Sequence, residues 1–378
     1  MNQKGKAGFA EYAVFFCLAV SFFYILLVVQ PFLYAHQVQA PFLFTGSFIK
    51  SFLQFPGEPA EYMANFIMQF FYNPISGAFI FTLLSGLQFF LAFFLLKSIR
   101  NNVFNPLLAL LPFVFSVALP NNYNVPYSIE ISIIFVLAAL LLTSRFASTL
   151  LKLLLISIPA GILIYYIAGS GYFLLFSFAI ALLPFKLKTA ERVSFMLFLA
   201  AFAFVLPWFA AHFIFALPPK QQYFYFFPPK AFFMDFKPSV VFVAYLLSIP
   251  LLIVISSIHK SIETKRANKN ITQKLATIST VFGLILIAGL AAFSHYFSFQ
   301  PDEKKKVAAD YYCYTNNPEK TAANAKTLKE YNFKANVNYN LVMSKTGQLP
   351  EKAFDFLQIT GSEAIHPDIE FQAEMSFV

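Results

Sequence analysis

The sequence predicts an all-α integral membrane protein, about nine transmembrane helices followed by a small external helical domain at the C-terminus. Three observations predict it. Hydrophobic residues make up 58% of the 378 residues and charged residues only 12%, and the mean hydropathy is +0.65; a soluble domain carries about a quarter charged residues. Nine apolar stretches are long enough, or nearly so, to cross a hydrocarbon core of about 30 Å at about 1.5 Å per residue. The last stretch, 299–378, is a different material, with nine basic and eleven acidic residues. A water-soluble enzyme could not bury this much apolar surface, and disordered chains are far more polar. With 52 Phe against 13 Gly, collagen-like and low-complexity classes are excluded too.

The apolar stretches lie near 12–33, 75–96, 103–119, 127–144, 149–168, 171–185, 193–215, 239–258 and 277–297. The first is too long for a signal-peptide core and no small-x-small cleavage site follows it. The sixth is short and can pair with the fifth as a tight hairpin through Gly169-Ser170-Gly171. Lys and Arg set the direction. Fourteen basic residues fall on the N-terminal side of the membrane and four, Lys50, Lys220, Lys230 and Lys237, in the opposite short loops. This places the N-terminus in the cytoplasm of a bacterium, the spans in its inner membrane, and the tail outside. The basic residues form no single face, so the charge of +9 does not indicate nucleic acid. Cys17 falls in an apolar span and Cys313 in the polar tail, so they are not expected to pair.

The membrane part, 1–298, has a long first external loop, 34–74. There Tyr62, Met63, Phe66, Ile67 and Phe70 recur at helical spacing, which predicts an amphipathic helix over 59–72 lying in the external interface. Pro59 suits its first turn and Glu61 its positive N-terminal end. A smaller element is expected over 44–54, around Lys50. The loop 216–238 carries Pro218-Pro219 and Pro228-Pro229 with aromatics between them. It reads either as an interfacial aromatic belt or as a lid over a lipid-facing groove. In the tail, helical periodicity appears near 302–315, 319–331, 335–346 and 350–358. Asn340-Leu341 through Gly347 and Ala353 loosely resembles a helix-turn-helix repeat of the tetratricopeptide type. The chain ends at Phe377-Val378 without a polar cap, which suggests a truncated tail.

No nucleotide-binding, zinc-protease or serine-hydrolase motif occurs. The five histidines are scattered. Chemistry is therefore sought on the external face, where the acids of the membrane part collect. Glu58 and Glu61, three apart, can act as a general base with its orienting group, hold a divalent cation, or simply open the helix. Glu130 sits one turn inside the fourth span, where a carboxylate needs a water-filled cavity, a partner or a snorkelling route. Lys50, Lys220, Lys230 and Lys237 are its candidate partners. His36 lies just after the first span. Asn121, Asn122 and Asn124 offer amides to sugar or phosphate oxygens, or make the turn. Asp235 either pairs with Lys230 or Lys237 or belongs to a site.

The segment Phe55-Pro-Gly-Glu-Pro-Ala-Glu-Tyr, with Met68-Gln-Phe-Phe-Tyr and Pro74, resembles the opening of an uncharacterised bacterial multi-pass membrane family, a domain of unknown function. Tyr339-Asn-Leu and Gly347-Gln-Leu resemble its C-terminal part. The cytoplasmic N-terminus, long first external loop with an interfacial helix, and external C-terminal domain resemble membrane glycosyltransferases of the C superfamily. That resemblance implies a polyprenyl-phosphate sugar donor. Glu58 or Glu61 would then be base or metal ligand, Lys50, Lys220 or Lys230 would hold the donor phosphate, and Glu130 would orient the acceptor. The alternative expectation is a non-catalytic scaffold whose tail, 299–378, binds envelope proteins. A transporter is the third, disfavoured because Glu130 is the only acid within a span.

Overall fold

The computed structural model describes residues 15–100, 104–218, 222–223, 236–263 and 269–355. Every regular element among them is a helix. In chain order these are α1 (Phe15–Val29), α2 (Pro31–Val38), α3 (Gly46–Ser51), α4 (Glu58–Met68), α5 (Pro74–Ile99), α6 (Asn105–Ala118), α7 (Ser128–Phe146), α8 (Leu150–Ala168), α9 (Ser170–Leu182), α10 (Thr189–Phe213), α11 (Phe236–Glu263), α12 (Lys269–Ser298), α13 (Pro301–Tyr314), α14 (Pro318–Lys326), α15 (Phe333–Lys345) and α16 (Leu349–Lys352). Two compact units form. One holds residues up to Phe32 and Ala40–Phe299, the other Leu33–Gln39 and Gln300–Val378. The stretch 33–39, expected in the membrane part, thus belongs with the tail.

In the first unit, five helices are long and apolar enough to cross a membrane: α5, α7, α8, α10 and Val240–Ser257 of α11. The pair α1 and α2 makes a sixth if it is one broken span. Segments 105–121, 170–182 and 285–298 are shorter apolar helices. Among the described residues, then, five apolar helices reach full span length and three are shorter. Apolar composition continues through Gln30, Leu119-Pro120 and Gly169, but the helices break or stop there. Gln30 has φ 56° and Gly169 φ 94°, both outside helical backbone. The Gly169 turn joins α8 to α9 as the predicted hairpin.

Helix starts follow local chemistry. Asn73 accepts from the backbone N–H of Ile75 and Ser76, and Pro74 takes the first helical position of α5, where its missing N–H costs nothing. Thr45 and Thr149 cap α3 and α8 in the same way. Along α5, Gly77, Ala78, Ser85 and Gly86 are buried, while Phe79, Leu83, Phe90 and Phe94 point outward. Small residues inside and large apolar residues outside suit a helix packed in lipid.

The predicted interfacial helix is α4, continued by a 3₁₀ turn at Gln69–Tyr72. Its packed face differs from expectation. Ala60, Ala64 and Met68 are buried, whereas Phe66 and Phe70 are exposed. The helix packs on α7 and α8, so small residues are needed on that side. The aromatics turn away, toward Phe42, Phe44, Phe48 and Phe52 around α3.

In the second unit, α13, α14 and α15 surround Ala309, Ala325, Leu328, Ala335, Tyr339, Val342 and Met343. Asn317 and Asn332 cap α14 and α15. Gly347, at φ 71°, makes the turn before α16. The expected helical segments are thus present: α13 and α15 at about the expected lengths, α14 and α16 shorter.

Candidate functional site

The most concentrated polar chemistry lies inside the bundle, where α5, α6, α7 and α11 meet. Glu130 is 3% exposed, and Gln88, Ser116 and Tyr245 are 0% exposed. Gln88 Nε2 lies 2.5 Å from Glu130 Oε2. Ser116 Oγ donates to the same oxygen at 2.7 Å, and Tyr245 Oη lies 3.1 Å from it. Tyr245 Oη also lies 2.5 Å from Gln88 Oε1, and Ser116 Oγ 2.7 Å from Ser85 Oγ. Glu130 Oε1 is buried with no hydrogen-bond partner among the described residues.

The expected position of Glu130, near the external face with a lysine partner, is corrected here. Gln88 is the fifteenth residue of α5, about 21 Å along the helix from Pro74 at 1.5 Å per residue. The turn between α6 and α7 is itself buried: Asn121, Asn122 and Tyr123 are each at most 5% exposed. Glu130 is therefore carried well inside, and its partners are neutral hydroxyls and an amide. Gln88, Ser116 and Tyr245 were missed in the sequence. The available signal was a glutamine within an otherwise apolar span, Leu87-Gln88-Phe89-Phe90.

The Asn loop is used internally. Asn121 Nδ2 lies 2.7 Å from Tyr24 Oη, 2.8 Å from the Ala118 carbonyl and 3.1 Å from Ser298 Oγ, and its two protons serve two of these three at a time. Asn122 Oδ1 accepts from the Asn124 N–H at 3.0 Å, which forms the turn. Asn124 alone of the three is exposed. Beside this loop, α1, α6 and α12 border an apolar groove with Val20, Phe113, Val117 and Ala291 in its walls and Tyr24 and His295 at its polar end. The Ala118 carbonyl fixes which end of the Asn121 amide is the donor. Tyr24 Oη lies 2.7 Å from His295 Nδ1, and the tautomer of the His295 ring sets which of the two donates.

Glu58 and Glu61 open α4, both partly buried. Glu58 Oε2 accepts from the Phe55 N–H at 3.0 Å. Burial pushes the Glu58 carboxyl above the usual range, partly offset by that bond. Burial, reinforced by the Glu58 charge, raises Glu61 as well. Lys50 is exposed on α3. A divalent cation would find only this carboxylate pair. No group of three or more His, Cys, Asp or Glu ligands gathers among the described residues, and one of the two carboxylates already serves the backbone. The donor set does not fit a dedicated metal site. Lys220, Lys230 and Asp235 lie outside the described residues.

His36 is found in the second unit, 8% exposed. Its Nε2 donates to Asp310 Oδ2 at 2.8 Å, Asn338 Nδ2 to Oδ1 at 3.0 Å, and Lys334 Nζ lies 3.1 Å from Oδ2. Burial alone would raise Asp310; the hydrogen bonds from His36 and Asn338 and the Lys334 charge outweigh it and bring the carboxyl down to about 2. The ordinary value is 3.8. Its contribution is therefore complete above the ordinary value and is lost as pH falls through about 2. Asp310→Asn is expected to cost the second unit about 2 kcal/mol, roughly 30-fold in its opening equilibrium. The rate of Cys313 modification in the full-length protein reads this. A change below about threefold would mark the pair as a solvated contact.

No curated protein and no solved structure matches the chain. Residues 6–378 match the family of unknown function DUF6057. The uncharacterised multi-pass resemblance of the loop and tail motifs is thereby accounted for over nearly the whole chain: the protein belongs to the DUF6057 family.

Proposed function

We propose that the protein spans a bacterial inner membrane nine times, with a cytoplasmic N-terminus and an external tail, and transfers a sugar from a polyprenyl-phosphate carrier at the external face. The bent first pair and the three shorter apolar helices, added to the five long ones, support nine crossings. The observation that carries the chemistry is the Glu58–Glu61 pair. Two carboxylates one turn apart sit on an interfacial helix, both raised toward neutrality by burial. A raised value makes a carboxylate a stronger base, the direction general-base catalysis needs. In the transfer, the acceptor hydroxyl oxygen attacks the anomeric carbon and its proton passes to Glu61. The bond from that carbon to the phosphate oxygen breaks, and the polyprenyl phosphate leaves with the electron pair. Glu58, held by the Phe55 N–H, orients the base. Lys50, with Lys220 or Lys230, neutralises the phosphate. The groove ending at Tyr24 and His295 supports accommodation of a lipid chain.

Glu61→Gln is expected to lower transfer from a polyprenyl-phosphate sugar by about 10²–10⁴-fold, with unchanged insertion. The wild-type rate should fall as pH drops through the raised Glu61 value, since the base must be ionised. Transfer by Glu61→Gln at the wild-type rate would overturn the assignment.

A second reading, a scaffold whose tetratricopeptide-like tail binds envelope proteins, is favoured by Tyr314, Val337 and Leu341, all exposed on the tail helices. It predicts silent Glu58→Gln and Glu61→Gln variants, and loss of a co-purifying envelope protein with Val337→Glu and Leu341→Glu.

A further inference from the structure

The Tyr245 hydroxyl makes two contacts at the Glu130 junction and has one proton. Gln88 Nε2 donates to Glu130 Oε2. Gln88 Oε1 can only accept, so the contact with Tyr245 Oη uses the single tyrosine proton. Nothing then remains for the 3.1 Å contact between Tyr245 Oη and Glu130 Oε2 unless Glu130 supplies a proton. Reversing the Gln88 amide does not change the count. Its oxygen would face Glu130 Oε2, and that contact would again need a proton from the glutamic acid. Ser116 and Ser85 are self-sufficient, with two hydroxyl protons for their mutual bond and the bond to Glu130. The junction closes when Glu130 is a neutral acid.

Charge points the same way. Glu130 has no ion pair among the described residues, and its Oε1 is buried without a partner. An ionised carboxylate there would lack a counter-charge in a water-poor interior, which is costly. A metal cation would need several oxygen ligands turned toward it, and here Glu130 Oε2 already takes the Gln88 amide and the Ser116 hydroxyl, while Gln88 Oε1 takes the Tyr245 hydroxyl.

We propose that the junction of α5, α6, α7 and α11 is a proton-binding site inside the membrane, in which Glu130 holds one proton and donates it in a hydrogen bond to Tyr245 Oη, in a ring closed by Gln88. The ligand is a proton in preference to sodium or another small cation. This site is separate from the external carboxylate pair, and a silent Glu61→Gln variant would leave it untouched.

The test is infrared spectroscopy of the full-length protein in lipid nanodiscs at neutral pH. The wild-type minus Glu130→Gln difference should show one protonated-carboxyl carbonyl band per chain and no carboxylate bands. Exchanging potassium for sodium or lithium should leave that band unchanged. Carboxylate bands in the difference, or loss of the carbonyl band on adding sodium, would overturn the proposal. Glu130→Gln, which mimics the neutral acid, should melt like wild type; a loss as large as that of Glu130→Ala would count against it. Should Glu130→Gln fail to fold, Tyr245→Phe gives a second reading. It removes the acceptor of the Glu130 proton, so the carbonyl band should move to higher frequency. An unmoved band would exclude the Glu130–Tyr245 bond.

Discussion

Glu130→Ala is expected to destabilise the membrane bundle by about 3 kcal/mol. The substitution leaves the Gln88 amide and the Ser116 hydroxyl without their acceptor, and the Tyr245 oxygen without its Glu130 partner. Side-chain hydrogen bonds inside membranes are worth about 0.6 kcal/mol on average and up to about 1.7, so three of them give roughly 2–4 kcal/mol. The cavity left by the missing methylene and carboxyl adds to this, at a cost set by how far the helices can collapse. Two partners limit the loss, since Tyr245 keeps Gln88 and Ser116 keeps Ser85. Reversible unfolding in mixed micelles measures the difference. A loss below about 1 kcal/mol would mean that the junction is a weak polar contact, no stronger than an average membrane hydrogen bond.

Single cysteines should report the orientation in an all-or-none way. With Cys17 and Cys313 replaced by Ser, Lys188→Cys should be shielded from a membrane-impermeant thiol reagent in spheroplasts, and Lys329→Cys should react fully. Both positions are exposed on the protein surface, so accessibility depends on the side of the membrane alone. The expectation rests on the fourteen-to-four distribution of basic residues, the bias that sets insertion direction. Reaction at Lys188→Cys with protection at Lys329→Cys would invert the topology and with it the external placement of Glu58 and Glu61.

Much of the fold was legible before any coordinates. The apolar excess determined a helical membrane chain, because in lipid each backbone polar group must be satisfied within its own segment. Asn73-Pro74, Asn317-Pro318 and Gly347 marked helix boundaries, since capping and left-handed turns act within a few residues. The helix at Glu58–Met68 was visible in its periodicity for the same local reason.

What the sequence could not decide was depth and partnership. Glu130 lies two residues into α7, so distance along the chain placed it near the surface. Only the packed structure shows that the turn carrying Asn121 and Tyr123 is buried, which draws Glu130 inward. Its partners Gln88 and Tyr245 are 42 and 115 residues away, a separation that no local pattern encodes. His36 likewise met Asp310 across 274 residues. Which face of α4 turns inward was also a tertiary decision: alanines fit against α7 and α8 where phenylalanines would not, because close helix packing selects by size as well as by hydrophobicity.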